Sequence, residues 1–132
     1  MSNPSRPLRI AIVGPCGAGK TTLARDLRRK GWQARAIAQE HSYVPSMWQR
    51  VTKPDLLIYL DASYDACTRR RNLSWLPHEH AEELRRLAHA RQHCDLYVAT
   101  DDLTPDRVTD LVLEQLGSLG AGASEAHADL RK

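Results

Sequence analysis

Short apolar runs alternate along the chain with longer stretches whose apolar residues recur at helical spacing. Residues 8–13 (Leu8, Arg9, Ile10, Ala11, Ile12, Val13) read as a first strand. In residues 22–31, Leu23, Ala24 and Leu27 share one face, basic groups occupy another, and Gly31 stands where a helix stops. Residues 33–39 read as a second strand with Glu40 at its carboxyl end, and Pro45 opens one or two helical turns over 46–51. Lys53 and Pro54 then break the chain before residues 55–61, whose continuous apolar run predicts a strand buried on both faces. Ser63 has the chemistry to cap a helix reaching Arg71, and a turn covers 72–77. The helix expected over 78–93 has a narrow apolar face of Ala81, Leu84, Leu87 and Ala88, so it should be mostly exposed. Residues 95–100 form the last predicted strand. A final helix starts at Thr104, Pro105 and Asp106, carries Val108, Leu111, Val112 and Leu116 on one face, and stops at Gly117. Strands alternating with helices imply a three-layer α/β fold: a parallel sheet of about four strands, helices on both faces, and ligands at the carboxyl ends of the strands.

With 132 residues, 42% hydrophobic and 27% charged, the chain suits one domain with a modest core. Residues 8–116 are the expected domain, residues 1–7 a flexible N-terminus and the glycine-, alanine- and serine-rich 117–132 a flexible tail. No run of 18 apolar residues appears and the start lacks the hydrophobic region of a signal peptide, so a cytoplasmic protein without membrane association is expected. Cys16, Cys67 and Cys94 are odd in number, lack C-x-x-C spacing and read as reduced thiols. The net charge of +3 comes from fifteen arginines and four lysines scattered through the helices, which is no nucleic-acid signature and suits a polyphosphate ligand.

The chemistry begins where the first strand ends. Gly14, Pro15, Cys16, Gly17, Ala18, Gly19, Lys20 and Thr21 spell G-x-x-x-x-G-K-[ST], the phosphate-binding loop, between a strand and a helix as its mechanism requires. Its glycines let successive N–H groups turn inward on phosphate oxygens, and the following helix adds its unpaired N–H groups and positive dipole end. Lys20 offers a point charge to β- and γ-phosphates, the Thr21 hydroxyl is placed for Mg²⁺, and Thr22 can bond an α-phosphate oxygen. ATP and Mg²⁺ are therefore the expected ligands. A carboxylate must also face Thr21. Glu40 and Asp61 compete for that role, and Glu40 alternatively serves as the base for an acceptor hydroxyl.

Over residues 8–116 the chain resembles the small-molecule kinases of the P-loop superfamily, the nucleoside, nucleotide and shikimate-type enzymes. The likeness rests on the loop with its flanking residues 13–24, on 57–63 followed by Arg69, Arg70 and Arg71, and on 95–105. It implies transfer of the γ-phosphoryl of Mg·ATP to a small-molecule acceptor. Lys20, Glu40 and a lid arginine, Arg70, would be the catalytic groups, and the loop at 101–105 would brush the adenine. Successive helical residues lie about 100° apart, so only one or two of the three arginines can face one ligand. Kinases of this group carry a further strand with an Asp-Arg-type motif and a helical acceptor region before the lid; here only residues 41–54 fill that interval. Either the acceptor is small, or the partner in a homodimer supplies part of its site, or the chain is a nucleotide-binding module with slow or no hydrolysis.

The remaining candidates are weaker. His41, Tyr43 and Trp48 form either an acceptor pocket or a cover for the sheet. His89 and His93 are at i, i+4 but lack a third ligand at a sensible spacing, so no zinc site is expected there. Thr52, Lys53, Pro54 and Asp55 mimic the guanine-reading [NT]-K-x-D, yet precede a strand instead of following one.

Overall fold

The computed structural model describes residues 7–72 and 74–118. In chain order the elements are β1 (Arg9–Val13), α1 (Lys20–Arg29), β2 (Gln33–Ala36), a 3₁₀ turn (Gln39–His41), α2 (Met47–Thr52), β3 (Leu56–Asp61), α3 (Tyr64–Arg71), α4 (Pro77–His93), β4 (Leu96–Ala99) and α5 (Pro105–Ser118). All strand pairs are parallel and the order is β2-β1-β3-β4. The chain leaves β1 toward β2 on one side and returns to β3 on the other. β1 is therefore the switch point of the sheet, and the crevice at its carboxyl end is where such folds bind ligands. No helix among the described residues is long and apolar enough to cross a membrane. Most of the two segments expected to be flexible lies outside the described residues.

Alternation along the strands divides the core between two faces. Ile10, Ile12, Leu56, Ile58 and Leu60 pack with Leu23 and Leu27 of α1 and Val112 and Leu116 of α5. Ala11, Val13, Leu57 and Tyr59 point the other way, against Trp48 of α2 and Leu87 and Ala90 of α4. β3 is buried on both faces as its sequence predicts. The edge strands are covered on one face only, which leaves Arg35 and Tyr97 exposed.

Three predicted elements differ in detail. β2 ends at Ala36, short of residue 39, because the Gln39 side chain is wholly buried and fully engaged. Its Oε1 accepts from Trp48 N at 2.9 Å and its Nε2 donates to Val44 O at 2.8 Å and to Arg86 O at 3.3 Å. These bonds hold residue 39 against α2 and α4, where the main chain has turned from the strand into the 3₁₀ segment. In α4 the buried residues are His80, Glu83, Leu87 and Ala90, whereas Ala81 and Ala88 face solvent. The stripe is offset from the apolar one because two polar side chains on it find partners inside. Finally, α5 runs through Gly117 to Ser118. That glycine needs no special conformation, and a Cβ there would meet nothing within 4 Å.

Gly14 is the position where the fold demands glycine. It joins β1 to the loop at φ +155°, and a Cβ would land on the carbonyl oxygen of Leu60 in β3. Gly14→Ala should therefore push β1 and β3 apart locally and destabilise the chain by about 1–3 kcal/mol, the usual cost of overpacking. Gly117→Ala should be neutral or slightly stabilising, as expected for an exposed helical glycine. Paired urea melts check the contrast.

Candidate functional site

The glycine-rich loop emerges from the buried end of β1 and closes at Gly19, which is left-handed (φ +101°) and caps α1. Ala18 N donates to Pro15 O at 3.1 Å, tightening the turn, and Gly17 is also left-handed (φ +91°). Pro15 and Ala18 are buried, Cys16 and Thr22 partly so, and Thr21 is exposed at the start of α1. The eight motif residues and Thr22 thus form one continuous loop and helix start. Lys20 does not reach into solvent. Its Nζ donates to Gly14 O at 2.8 Å, Pro15 O at 3.3 Å and Glu40 Oε2 at 2.9 Å. The Lys20 side chain is 10% exposed and that of Glu40 5%.

Glu40 arrives because β2 pairs directly with β1, in register from Arg9↔Gln33 to Ile12↔Ala36, and the 3₁₀ turn then carries it over the loop. Its second oxygen, Oε1, is buried and has no hydrogen-bond partner among the described residues. A buried carboxylate oxygen left bare beside the phosphate loop fits a cation that arrives with a ligand, so Glu40 and the Thr21 hydroxyl are suited to Mg²⁺. The Asp61 carboxylate is already engaged at the end of β3: Oδ1 accepts from Ala62 N at 3.0 Å and Oδ2 accepts from Tyr97 OH. Burial, then the bond to Asp61, raises the Tyr97 phenol above its ordinary value.

Helix α4 brings in groups that its sequence did not single out. The buried Glu83 accepts the Cys16 N–H at 2.9 Å, and this is the carboxylate's one hydrogen bond among the described residues. Arg86 donates to Glu40 O at 3.3 Å and lies 4.5 Å from the ring centre of the exposed Tyr43. Its buried Nε is 3.3 Å from Glu82 Oε2 but lacks hydrogen-bond alignment. The signal for Glu83 was the spacing of His80, Glu83, Leu87 and Ala90, legible only if polar residues are counted on the stripe. His41 Nε2 stands 3.6 Å from Glu40 Oε2. Trp48 is core and donates from Nε1 to His89 Nδ1 at 3.2 Å.

On the opposite side of the loop is a cleft of about 80 Å³ lined by Gly17, Gly19, Thr22, Arg70, Leu103 and Val108, among others. Arg70 donates to Gly17 O at 3.2 Å, Thr100 Oγ1 at 2.9 Å, Asp101 O at 3.3 Å and, closest, Thr100 O. These bonds fix the guanidinium on this wall, whereas the lid role implied by resemblance would send it to the loop mouth. Trp75 Nε1 donates to Thr68 Oγ1 at 2.6 Å and the Trp75 ring stacks on Tyr64. The mimic at 52–55 sits where β1 and β3 begin: Lys53 is left-handed after α2, and Asp55 Oδ2 accepts from Arg9 N at 2.8 Å.

A family model described as an AAA domain matches residues 10–104. No curated protein matches the chain. Among solved structures, an uncharacterized protein from Eubacterium ventriosum ATCC 27560 is similar over 84% of this chain and 99% of its own, with a TM-score of 0.53 and 11% identity. At that identity the likeness concerns the fold alone.

Asp101 links the cleft to α3, its Oδ1 accepting from Ser63 N at 2.8 Å. That bond, above all, holds its carboxyl below the ordinary carboxylate value. A depressed folded value means that stability is fully present above the unfolded value of about 4 and is lost as pH falls through the folded one. The stability gap between wild type and Asp101→Ala, followed by urea melts from about pH 6 to about pH 3, should therefore narrow toward acid. A gap that widens there contradicts the bond's role.

Proposed function

The chain belongs to the AAA domain family, as a P-loop nucleotide-binding domain, and from that premise we propose that it is an ATP-dependent kinase of a small-molecule acceptor. The observation that carries the reading is the buried Lys20–Glu40 pair at 2.9 Å, with a bare carboxylate oxygen beside it at the loop mouth. Phosphoryl transfer asks a protein mainly for positioning and charge neutralisation. Lys20 exchanges Glu40 for the β- and γ-phosphate oxygens, and the loop N–H groups and the α1 N-terminus take the remaining charge. The released Glu40 carboxylate and the Thr21 hydroxyl would hold Mg²⁺, which would supply charge neutralisation to the phosphates. The acceptor hydroxyl approaches from the Glu40 and His41 side, opposite the cleft. There Arg70, pinned by backbone carbonyls, offers a flat cation on which adenine stacks between Leu103 and Val108. Arg70 is then a binding group for the base.

A second reading, a nucleotide-binding module with little turnover, is favoured by the short 41–54 segment, where Trp48 is committed to the core. Both readings require the nucleotide. Lys20→Ala should weaken Mg·ATP binding by about 1.5–3 kcal/mol, the range for hydrogen bonds to charged groups. Equal affinities by calorimetry, with both proteins folded, would remove the phosphate assignment. Arg70→Ala should weaken ATP, ADP and AMP by a similar factor, since the base is common to all three; a loss confined to ATP returns Arg70 to the γ-phosphoryl. Transfer is tested with γ-labelled ATP and a panel of nucleosides, sugars and hydroxy acids. Wild type that labels none of them, and hydrolyses ATP no faster than Glu40→Ala, leaves the module reading standing.

A further inference from the structure

Three donors of different chemistry converge beside the glycine-rich loop. One ligand atom from each of Cys16, His41 and Glu83 lies within 4.8 Å of the others. Oxygen-seeking cations such as Mg²⁺ have no use for a thiol or an imidazole. A sulfur, a nitrogen and a carboxylate oxygen together suit Zn²⁺ and its neighbours in the transition series. We propose that the chain binds one borderline transition-metal ion of the Zn²⁺ class through Cys16, His41 and Glu83, at a site separate from the Thr21 position for Mg²⁺.

The electrostatics of the region point the same way. Glu83 is 6% exposed and, among the described residues, its carboxylate receives only the Cys16 N–H. Glu40, whose carboxylate is 3.6 Å from His41 Nε2, has a buried oxygen with no hydrogen bond. Lys20 is bonded to Glu40, and among the described residues no cation is paired with the buried Glu83 carboxylate. Buried charge without a partner is costly, and a dication beside Glu83 compensates it. A carboxylate has lone pairs enough to keep the Cys16 N–H and ligate an ion as well. Metal–donor distances of about 2.0–2.3 Å in tetrahedral geometry put donors about 3.5 Å apart, so the three atoms need to close by up to roughly 1.4 Å. The means are present: the His41 side chain is 58% exposed and able to swing, while Glu83 is fixed by burial. On binding, the Cys16 thiol loses its proton to solvent and ligates as thiolate. A fourth position is left for water. The other two thiols lack this setting: burial pushes Cys67 up to about 12 and raises Cys94 as well.

The inference stands whether or not the chain transfers phosphate, and the test uses the metal alone. Co²⁺, which reports a thiolate ligand by a charge-transfer absorption in the near ultraviolet, is titrated into the nucleotide-free full chain with Mg²⁺ in large excess. One equivalent should bind with that absorption, and Zn²⁺ should displace it. Cys16→Ser should abolish the band. His41→Ala alters an exposed side chain and keeps the fold, and it should weaken binding at least about tenfold, since even a lost outer partner costs about 10–100-fold. Glu83→Gln should weaken it likewise, with folding of each variant confirmed by circular dichroism. Absence of the band in wild type, its persistence in Cys16→Ser, unchanged affinity in His41→Ala, or displacement by Mg²⁺ each overturns the proposal.

Discussion

A lysine ammonium nearly withdrawn from water has to be neutralised, and most of this architecture follows from how that is done for Lys20. Removing a counter-charge from such a group typically costs about 3–5 kcal/mol, so its partner must be delivered reliably. The partner comes from the second strand. β2 lies directly against β1, Ile12 opposite Ala36, and Ile37 N still donates to Ile12 O at 2.9 Å before the chain turns. Three residues later Glu40 meets Lys20. Here the direct pairing of β2 with β1 supplies the carboxylate by itself, and a short chain keeps its charge balance.

Helix α4 holds that arrangement in place. Its Arg86 carbonyl accepts from Gln39 and its Arg86 side chain donates to the Glu40 carbonyl, so the turn bearing Glu40 is tied down from both ends. Leu87 and Ala90, buried against Ala11, Val13 and Leu57, anchor the helix to the sheet. Truncating such a leucine typically costs about 2–5 kcal/mol. Here it would also loosen the support under Gln39 and Glu40, so packing on this face and geometry at the loop are one problem.

How much of this was legible depends on whether the signal was local. β1, β3 and the glycine loop read correctly because a continuous apolar run and a glycine spacing are properties of neighbouring residues. Ser63 was legible as a cap, and its Oγ accepts from Ala66 N at 3.1 Å. The early end of β2 was not, since it depends on Gln39 finding partners in α2 and α4. Glu83 was missed for a related reason. On an exposed helix it is one more surface acid; only the fold brings the Cys16 N–H to it. Which wall Arg70 joins is not legible locally either, because it depends on carbonyls far along the chain, at Thr100 and Asp101.

The two sides of the loop differ in how completely their polar groups are satisfied, and that difference bears on where chemistry resides. On the cleft side Arg70 has four hydrogen-bond acceptors, and Thr100 Oγ1, while accepting from Arg70, also reaches Asp61 O at 3.0 Å. The polar groups of that wall are satisfied before any ligand arrives. On the other side, among the described residues, the buried Glu40 Oε1 has no hydrogen bond, the buried Arg86 Nε has only its ion pair with Glu82, and Glu83 has a single donor. Native interiors rarely leave such groups bare, and the exceptions gather where a protein handles a charged partner. Such groups cost stability with no return in the empty protein, and here they gather between the glycine loop, the 3₁₀ turn and α4.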